Sequence, residues 1–201
     1  MAALLTVIWF AGCGYASIPC FWFAAHPFAA GWRRRRQSPY YILLPVWALI
    51  IAGIMAASRP WHRLRWYATP VAWVAGLGLV AAGFWMYRQA HRDFSDAQII
   101  GRPELEAGGH EQRLVTSGIR SRLRHPIYVG HLLVLAGLAA GSGLAVLWVL
   151  LAIDLALHVP LIQSEEAELE SRFGEEYREY RSRVPAMIPR PGGGRRSADA
   201  L

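Results

Sequence analysis

Two polar clusters in the C-terminal half carry residue types able to hold a charged small molecule. The first is Leu114-Val115-Thr116-Ser117-Gly118, followed by Arg124-His125-Pro126-Ile127-Tyr128-Val129-Gly130. The second is Glu165-Glu166, then Leu169, Phe173-Gly174, Tyr177, Tyr180, Val184 and Pro189. Together they offer guanidinium, imidazole and carboxylate groups where the bilayer begins, and ionisable groups at that depth are costly unless paired or hydrated, which makes a ligand site the default reading. Taken singly, each residue has a plainer role. His125 reads as a helix-start hydrogen-bonding group and Pro126 as an ordinary first-turn residue. Glu165 and Glu166 read as a charged membrane-exit flank. The joint pattern is what points to a site.

The chain between the clusters brings them together. An apolar stretch runs from Ile127 to Ile162, broken near its middle by Gly141-Ser142-Gly143. This predicts a helical hairpin, about 127–140 and 144–163, with both clusters at its open end. The first arm is short, ~21 Å at 1.5 Å per residue. Gly130, Gly137 and Gly141 share one helical face, and Gly137-xxx-Gly141 is a small-xxx-small pattern that favours close helix packing.

Three further apolar spans precede the hairpin, at about 3–25, 40–57 and 70–87, each near the length that crosses a ~30 Å hydrocarbon core. Trp61, Trp66 and Tyr67 precede the third and Trp85 and Tyr87 close it, as aromatics do at membrane interfaces. Hydrophobic residues make up 54% of the 201 and charged residues 17%, low for a soluble chain. The expected fold class is therefore all-α: a polytopic integral membrane protein of about five transmembrane helices, with a C-terminal helical hairpin. Residues 1–88 form three N-terminal spans, 89–190 the core, and 191–201 a disordered tail.

The net charge is +7, and every one of the 21 basic residues is arginine. In a soluble chain such an excess would suggest nucleic acid. Here the arginines flank apolar spans, so no nucleic-acid partner is expected. Alternating loops place 18 arginines on one side and three, Arg59, Arg63 and Arg65, on the other. The positive-inside rule then puts residues 88–126 and the C-terminus in the cytoplasm and the N-terminus outside. The absence of lysine suits GC-rich coding and a bacterial cytoplasmic membrane. Cys13 and Cys20 are too far apart on a helix for an intrahelical disulfide and read as small hydrophobes.

Over residues 110–190 the chain resembles the isoprenylcysteine carboxyl methyltransferases, and related phospholipid N-methyltransferases share much of the pattern. The likeness rests on Arg124-His125-Pro126-x-Tyr128-x-Gly130, the glycine-bounded break, Glu165-Glu166-x-x-Leu169 and Phe173-Gly174-x-x-Tyr177-x-x-Tyr180-x-x-x-Val184. It implies an S-adenosyl-L-methionine-dependent methyltransferase whose cofactor lies in a cytoplasmic pocket. The implied contacts are Gln112, Arg113, Leu114, Val115, Arg120, His125, Pro126, Ile127, Tyr128 and Glu165. The family usually has tyrosine where this chain has Arg120 and histidine where it has Gln112, with His110 two residues earlier. Prenylcysteine enzymes place a substrate-binding arginine four residues before the equivalent of Glu165; here that residue is Leu161.

The implied acceptor is lipophilic or prenylated, with O-methylation of a carboxylate as the leading reaction. The alternatives are N-methylation of a phospholipid or small amine, and a non-catalytic membrane interaction module. Arg124 is the candidate for orienting an anionic head group through its planar fork. Glu168–Arg172 and Glu179–Arg183 read as i,i+4 pairs on a solvated face. Phe173, Tyr177, Tyr180 and Val184 read as the docking face of an amphipathic helix. Asp154 and His158 read as a structural polar pair, His131 has no assigned role, and the three are not read as metal ligands.

Overall fold

The computed structural model describes residues 1–92, 94–106 and 113–189. Gln112, His110 and the expected tail at 191–201 lie outside them. The N-terminal span comprises α1 (Ala2–Ala16), α2 (Ile18–Ala25), a 3-10 turn at His26–Phe28 and α3 (Ala29–Arg33). It is interrupted at Ser17, because Pro19 cannot donate to the helix ladder and its ring crowds the preceding turn. The Ser17 hydroxyl donates back to the Gly14 carbonyl at 2.6 Å. Next come α4 (Tyr40–Ser58) and α5 (Pro70–His91). Two short helices, α6 (Asp96–Ile99) and α7 (Arg102–Leu105), lie in the polar segment. The last three are α8 (Pro126–Ser142), α9 (Ala145–Phe173) and α10 (Glu175–Arg183).

Among the described residues, four stretches are long and apolar enough to cross a bilayer: Ala2–Arg33, Tyr40–Trp61, Pro70–His91 and Ala145–Phe173. The short hairpin arm is longer than the sequence suggests, 17 residues or about 25 Å. Large apolar side chains on the outer faces of α4 and α5, such as Leu49, Val71, Val74 and Leu77, are mostly uncovered by protein. In water such a belt would be a liability; in a membrane protein it is the lipid contact.

The break at Gly141-Ser142-Gly143 is the predicted hairpin turn. Gly143 adopts a left-handed conformation, φ 68°, that a side chain would disfavour. The 61–69 loop packs on this turn. Trp66 N–H donates to the Gly143 carbonyl at 2.9 Å, Ala145 N–H to Leu64 at 2.9 Å, and Arg65 Nε to Ser142 at 2.8 Å. These groups form one end of the bundle, and both polar clusters lie at the other.

The glycine face of α8 meets a second glycine row on α5. A methyl group built on Gly137 would lie 2.6 Å from the Gly76 carbonyl oxygen, and one built on Gly83 would lie 2.7 Å from the Gly130 carbonyl oxygen. Only hydrogen fits at this seam, so the two backbones approach closely enough to fix α8 in depth and rotation. The N-terminal helix closes the other side through Leu5, Trp9 and Cys13 packed on Leu144 and Leu147. Cys13 is buried, Cys20 half-buried, and both thiols are free.

Candidate functional site

Twenty residues of α9, from Ala145 to Ser164, span about 30 Å. Glu165 therefore emerges where the hydrocarbon core ends. The proline ring of Pro126 occupies the first turn of α8, leaving His125 as the residue before the helix at the same level. The C-terminal segment holds this junction in place: Arg124 N–H donates to the Pro185 carbonyl and His125 N–H to Ala186, each at 3.0 Å.

His125 sits between two carboxylates, with Nδ1 3.3 Å from Glu165 Oε2 and Nε2 3.1 Å from Glu166 Oε1. Burial alone would favour the neutral ring. The Glu165 carboxylate, reinforced by Glu166, outweighs it and pushes the imidazole up to about 9. A protonated ring donates from Nε2 to Glu166 and holds its charge beside Glu165. Arg124 directs Nε at 2.9 Å and Nη2 at 2.5 Å to Glu166 Oε1. Its Nη1 donates to the carbonyls of Arg181, at 3.1 Å, and Val184. The planar fork is thus committed to the protein, and Arg124 fixes Glu166 rather than presenting an open fork to a head group.

Tyr128 follows on the first turn of α8. Its ring stacks on His125, with centroids 5.6 Å apart, and its hydroxyl lies 3.2 Å from His26 Nε2. His26 pairs through Nδ1 with Glu104 of α7, and Trp22 stacks on the His26 ring at 4.9 Å. Arg33 ties this wall to α9, donating to the Glu104 carbonyl at 2.8 Å and to Glu168 at 2.9 Å. Glu168 also faces Arg172 at 3.3 Å and is buried. The reading of Glu168–Arg172 as a solvated pair is therefore corrected: Arg33, an N-terminal residue, draws Glu168 inward. Glu179–Arg183, at 3.5 Å, does lie on an exposed face.

The roof is α10. Tyr177, Tyr180 and Val184 pack with Leu114, Leu169 and Phe173, as the apolar spacing predicts. Burial pushes the Tyr180 hydroxyl up to about 12, keeping it a donor, and it binds the Arg120 carbonyl at 2.8 Å. Arg120, where a tyrosine is usual, lies with its guanidinium 3.4 Å from the Phe94 ring centroid and donates to the Ala90 carbonyl at 3.3 Å. An aromatic partner thus accommodates the cation.

One cavity collects these groups. Arg113, Leu114, Val115, Arg120, Arg124, His125, Pro126, Ile127, Tyr128 and Glu165 all line it; Gln112 lies outside the described residues. Trp22, His26, Phe94 and Glu104 also line it and have no counterpart in the sequence pattern. The signal available for them is the ionisable His26 ahead of Pro27 at the end of an apolar span, where an ionisable group is costly without a partner. Phe173, Tyr177 and Tyr180 both dock α10 and face the cavity. Three buried polar atoms on its wall lack a hydrogen-bond partner: Glu165 Oε2, Arg172 Nε and Tyr177 Oη. Such groups are uncommon in a closed structure and are what a zwitterionic ligand would satisfy.

A model of the phospholipid methyltransferase family matches residues 71–176. The chain belongs to this family. It is 34% identical over 149 residues to the cobalt-zinc-cadmium resistance protein CzcN of Cupriavidus metallidurans, covering 72% of this chain and 62% of that protein. It is 29% identical over 148 residues to the nickel-cobalt-cadmium resistance protein NccN of Alcaligenes xylosoxydans xylosoxydans, covering 72% and 63%. The chain thus spans under two-thirds of the length of either relative. A protein-S-isoprenylcysteine O-methyltransferase of Schizosaccharomyces pombe is 40% identical over 77 residues, 38% of this chain and 33% of that protein. No solved structure matches the chain. Family and fold together make it an integral membrane protein of a methyltransferase family, in line with the resemblance read from its motifs.

Proposed function

We propose that this protein transfers a methyl group from S-adenosyl-L-methionine to a lipophilic acceptor at the membrane's cytoplasmic face. The observation that carries this reading is the cavity at the level of Glu165, polar on its α8–α9 edge and aromatic beneath α10. Glu165, with one oxygen that makes no hydrogen bond, suits the cofactor's ammonium. Arg172 and main-chain groups of 113–115 suit its carboxylate. Tyr128, Ile127 and Phe173 offer the flat apolar surface an adenine needs. When bound, the cofactor supplies an electrophilic methyl group. The chain's own work is to align donor and acceptor and keep water out. His125 and Arg124 serve that end by holding Glu165 and Glu166 in fixed positions.

O-methylation of a prenylated or lipid carboxylate is the first reading, supported by the partial likeness to the isoprenylcysteine enzyme. N-methylation is the second. It is favoured by Leu161, fully buried and apolar where a carboxylate-binding arginine would be needed. The names of two relatives suggest metal-exposed cells as the setting. The test supplies radiolabelled methyl donor to purified protein with membrane lipid extracts and prenylcysteine analogues. Transfer of label to an organic-soluble product is expected. Release of that label by mild base marks an ester, and retention marks an amine. A folded protein that labels none of these acceptors would overturn the reading.

A further inference from the structure

Asp154 lies ten residues into α9, about 14 Å from its start and so near the middle of a ~30 Å core. It is fully buried. Among the described residues, no arginine lies within ion-pair distance of it. Its neighbours are instead two histidines: His131 Nε2 lies 3.0 Å and His158 Nδ1 3.4 Å from Asp154 Oδ2. His158, one turn after Asp154, faces the same way, and His131 comes from the partner arm of the hairpin. Both rings are 2% exposed. Tyr15 stacks on His131 at 5.6 Å, and Tyr128 meets His158 edge-on at 5.1 Å, so packing fixes both rings.

We propose that His131, Asp154 and His158 form an intramembrane binding site for one divalent first-row transition-metal ion of borderline softness, with Zn2+ as its type. Two imidazoles and a carboxylate are the donor set such ions favour. One donor atom from each residue lies within 4.8 Å of the others. A four-coordinate Zn2+ with bonds of ~2.0–2.1 Å holds its ligand atoms roughly 3.3 Å apart, close to the 3.0 and 3.4 Å present here. Asp154 is thus already at ligand spacing from both rings.

The cluster is also short of hydrogen-bond partners on the far side of each group. Asp154 Oδ1, His131 Nδ1 and His158 Nε2 are all buried without a hydrogen-bond partner. An uncompensated carboxylate at this depth is expensive, and a divalent cation offsets it more fully than a shared proton. His158 Nδ1 also lies 2.7 Å from the Asp154 carbonyl. A donor proton held there leaves when the ion binds. None of the three residues lines the cofactor cavity. The ion would staple α8 to α9 below the pocket, and its binding is separable from methyl transfer.

The test uses tag-free, detergent-purified full chain, stripped with chelator and then titrated with Zn2+, with Co2+ as a spectroscopic probe. One equivalent per chain is expected, with visible Co2+ bands of low-symmetry coordination and a raised melting temperature. Asp154→Asn and His158→Gln, both near in size to the residues replaced, should each weaken binding at least about 100-fold, beyond the 10–100-fold typical of outer-shell losses. Glu165→Gln should leave it unchanged. Variants are compared only if they elute as the wild type does, and the wild-type titration stands by itself if neither qualifies. A folded wild type that binds no Zn2+ at millimolar concentration, or folded variants that bind it equally well, would overturn the proposal.

Discussion

The glycine seam between α5 and α8 gives a matched pair of substitutions. Gly83→Ala places a methyl 2.7 Å from the Gly130 carbonyl oxygen, 3.0 Å from Val134 N and 2.6 Å from Val134 Cγ2. Two of these are backbone atoms and cannot swing away, so α8 must shift. Overpacking of this kind costs about 1–3 kcal/mol, against a gain of about 1 kcal/mol in helix propensity. Gly78→Ala, on the same helix, meets nothing within 4 Å and keeps only the gain. Thermal unfolding in detergent should lower the midpoint for Gly83→Ala and leave it equal or higher for Gly78→Ala, separated by roughly 2–4 °C per kcal/mol. Cofactor affinity should fall only in Gly83→Ala, because α8 carries Tyr128 into the pocket. Equal midpoints for the two variants would refute the claim that this seam sets the position of α8.

Two further outcomes follow from the charge layer. Glu166→Gln leaves Arg124 and His125 buried without their shared carboxylate, and should cost about 3 kcal/mol in denaturant unfolding, the lower end for a broken buried pair; an unchanged midpoint would show the pair to be idle. His125 is raised from about 6.5 to about 9 by Glu165 and Glu166. It therefore contributes stability that is fully present below pH ~6.5 and fades as pH rises through about 9, on the order of 3 kcal/mol in all. Melting temperatures between pH 6 and 10 should show this loss in the wild type, and a much flatter profile in His125→Asn.

Much of this architecture is legible in the chain. Gly141-Ser142-Gly143 marks the hairpin, and Gly130, Gly137 and Gly141 share a face because 3.6-residue periodicity is a local property. What pairs with that face is not local: Gly76 and Gly83 belong to another helix, and only the fold brings them opposite. The same holds at the site. Motif spacing brings out His125, Tyr128 and Glu165, but not Trp22 and His26, which reach the pocket from the first span across a contact no periodicity encodes. Arg33 looks like one of four equivalent orientation charges in the sequence, yet it alone of the four pairs with Glu168 in the structure. Asp154 and His158 are readable as an i,i+4 pair, while His131 joins them only because the hairpin closes.

The most direct measurement is calorimetric titration of the detergent-purified protein with S-adenosyl-L-methionine, beside Glu165→Ala. Saturable binding in the micromolar range is expected of the wild type and its loss in the variant, with both proteins folded. No binding by the folded wild type, or equal binding by the variant, would contradict the proposed cofactor site and favour a scaffold that serves as a membrane interaction module.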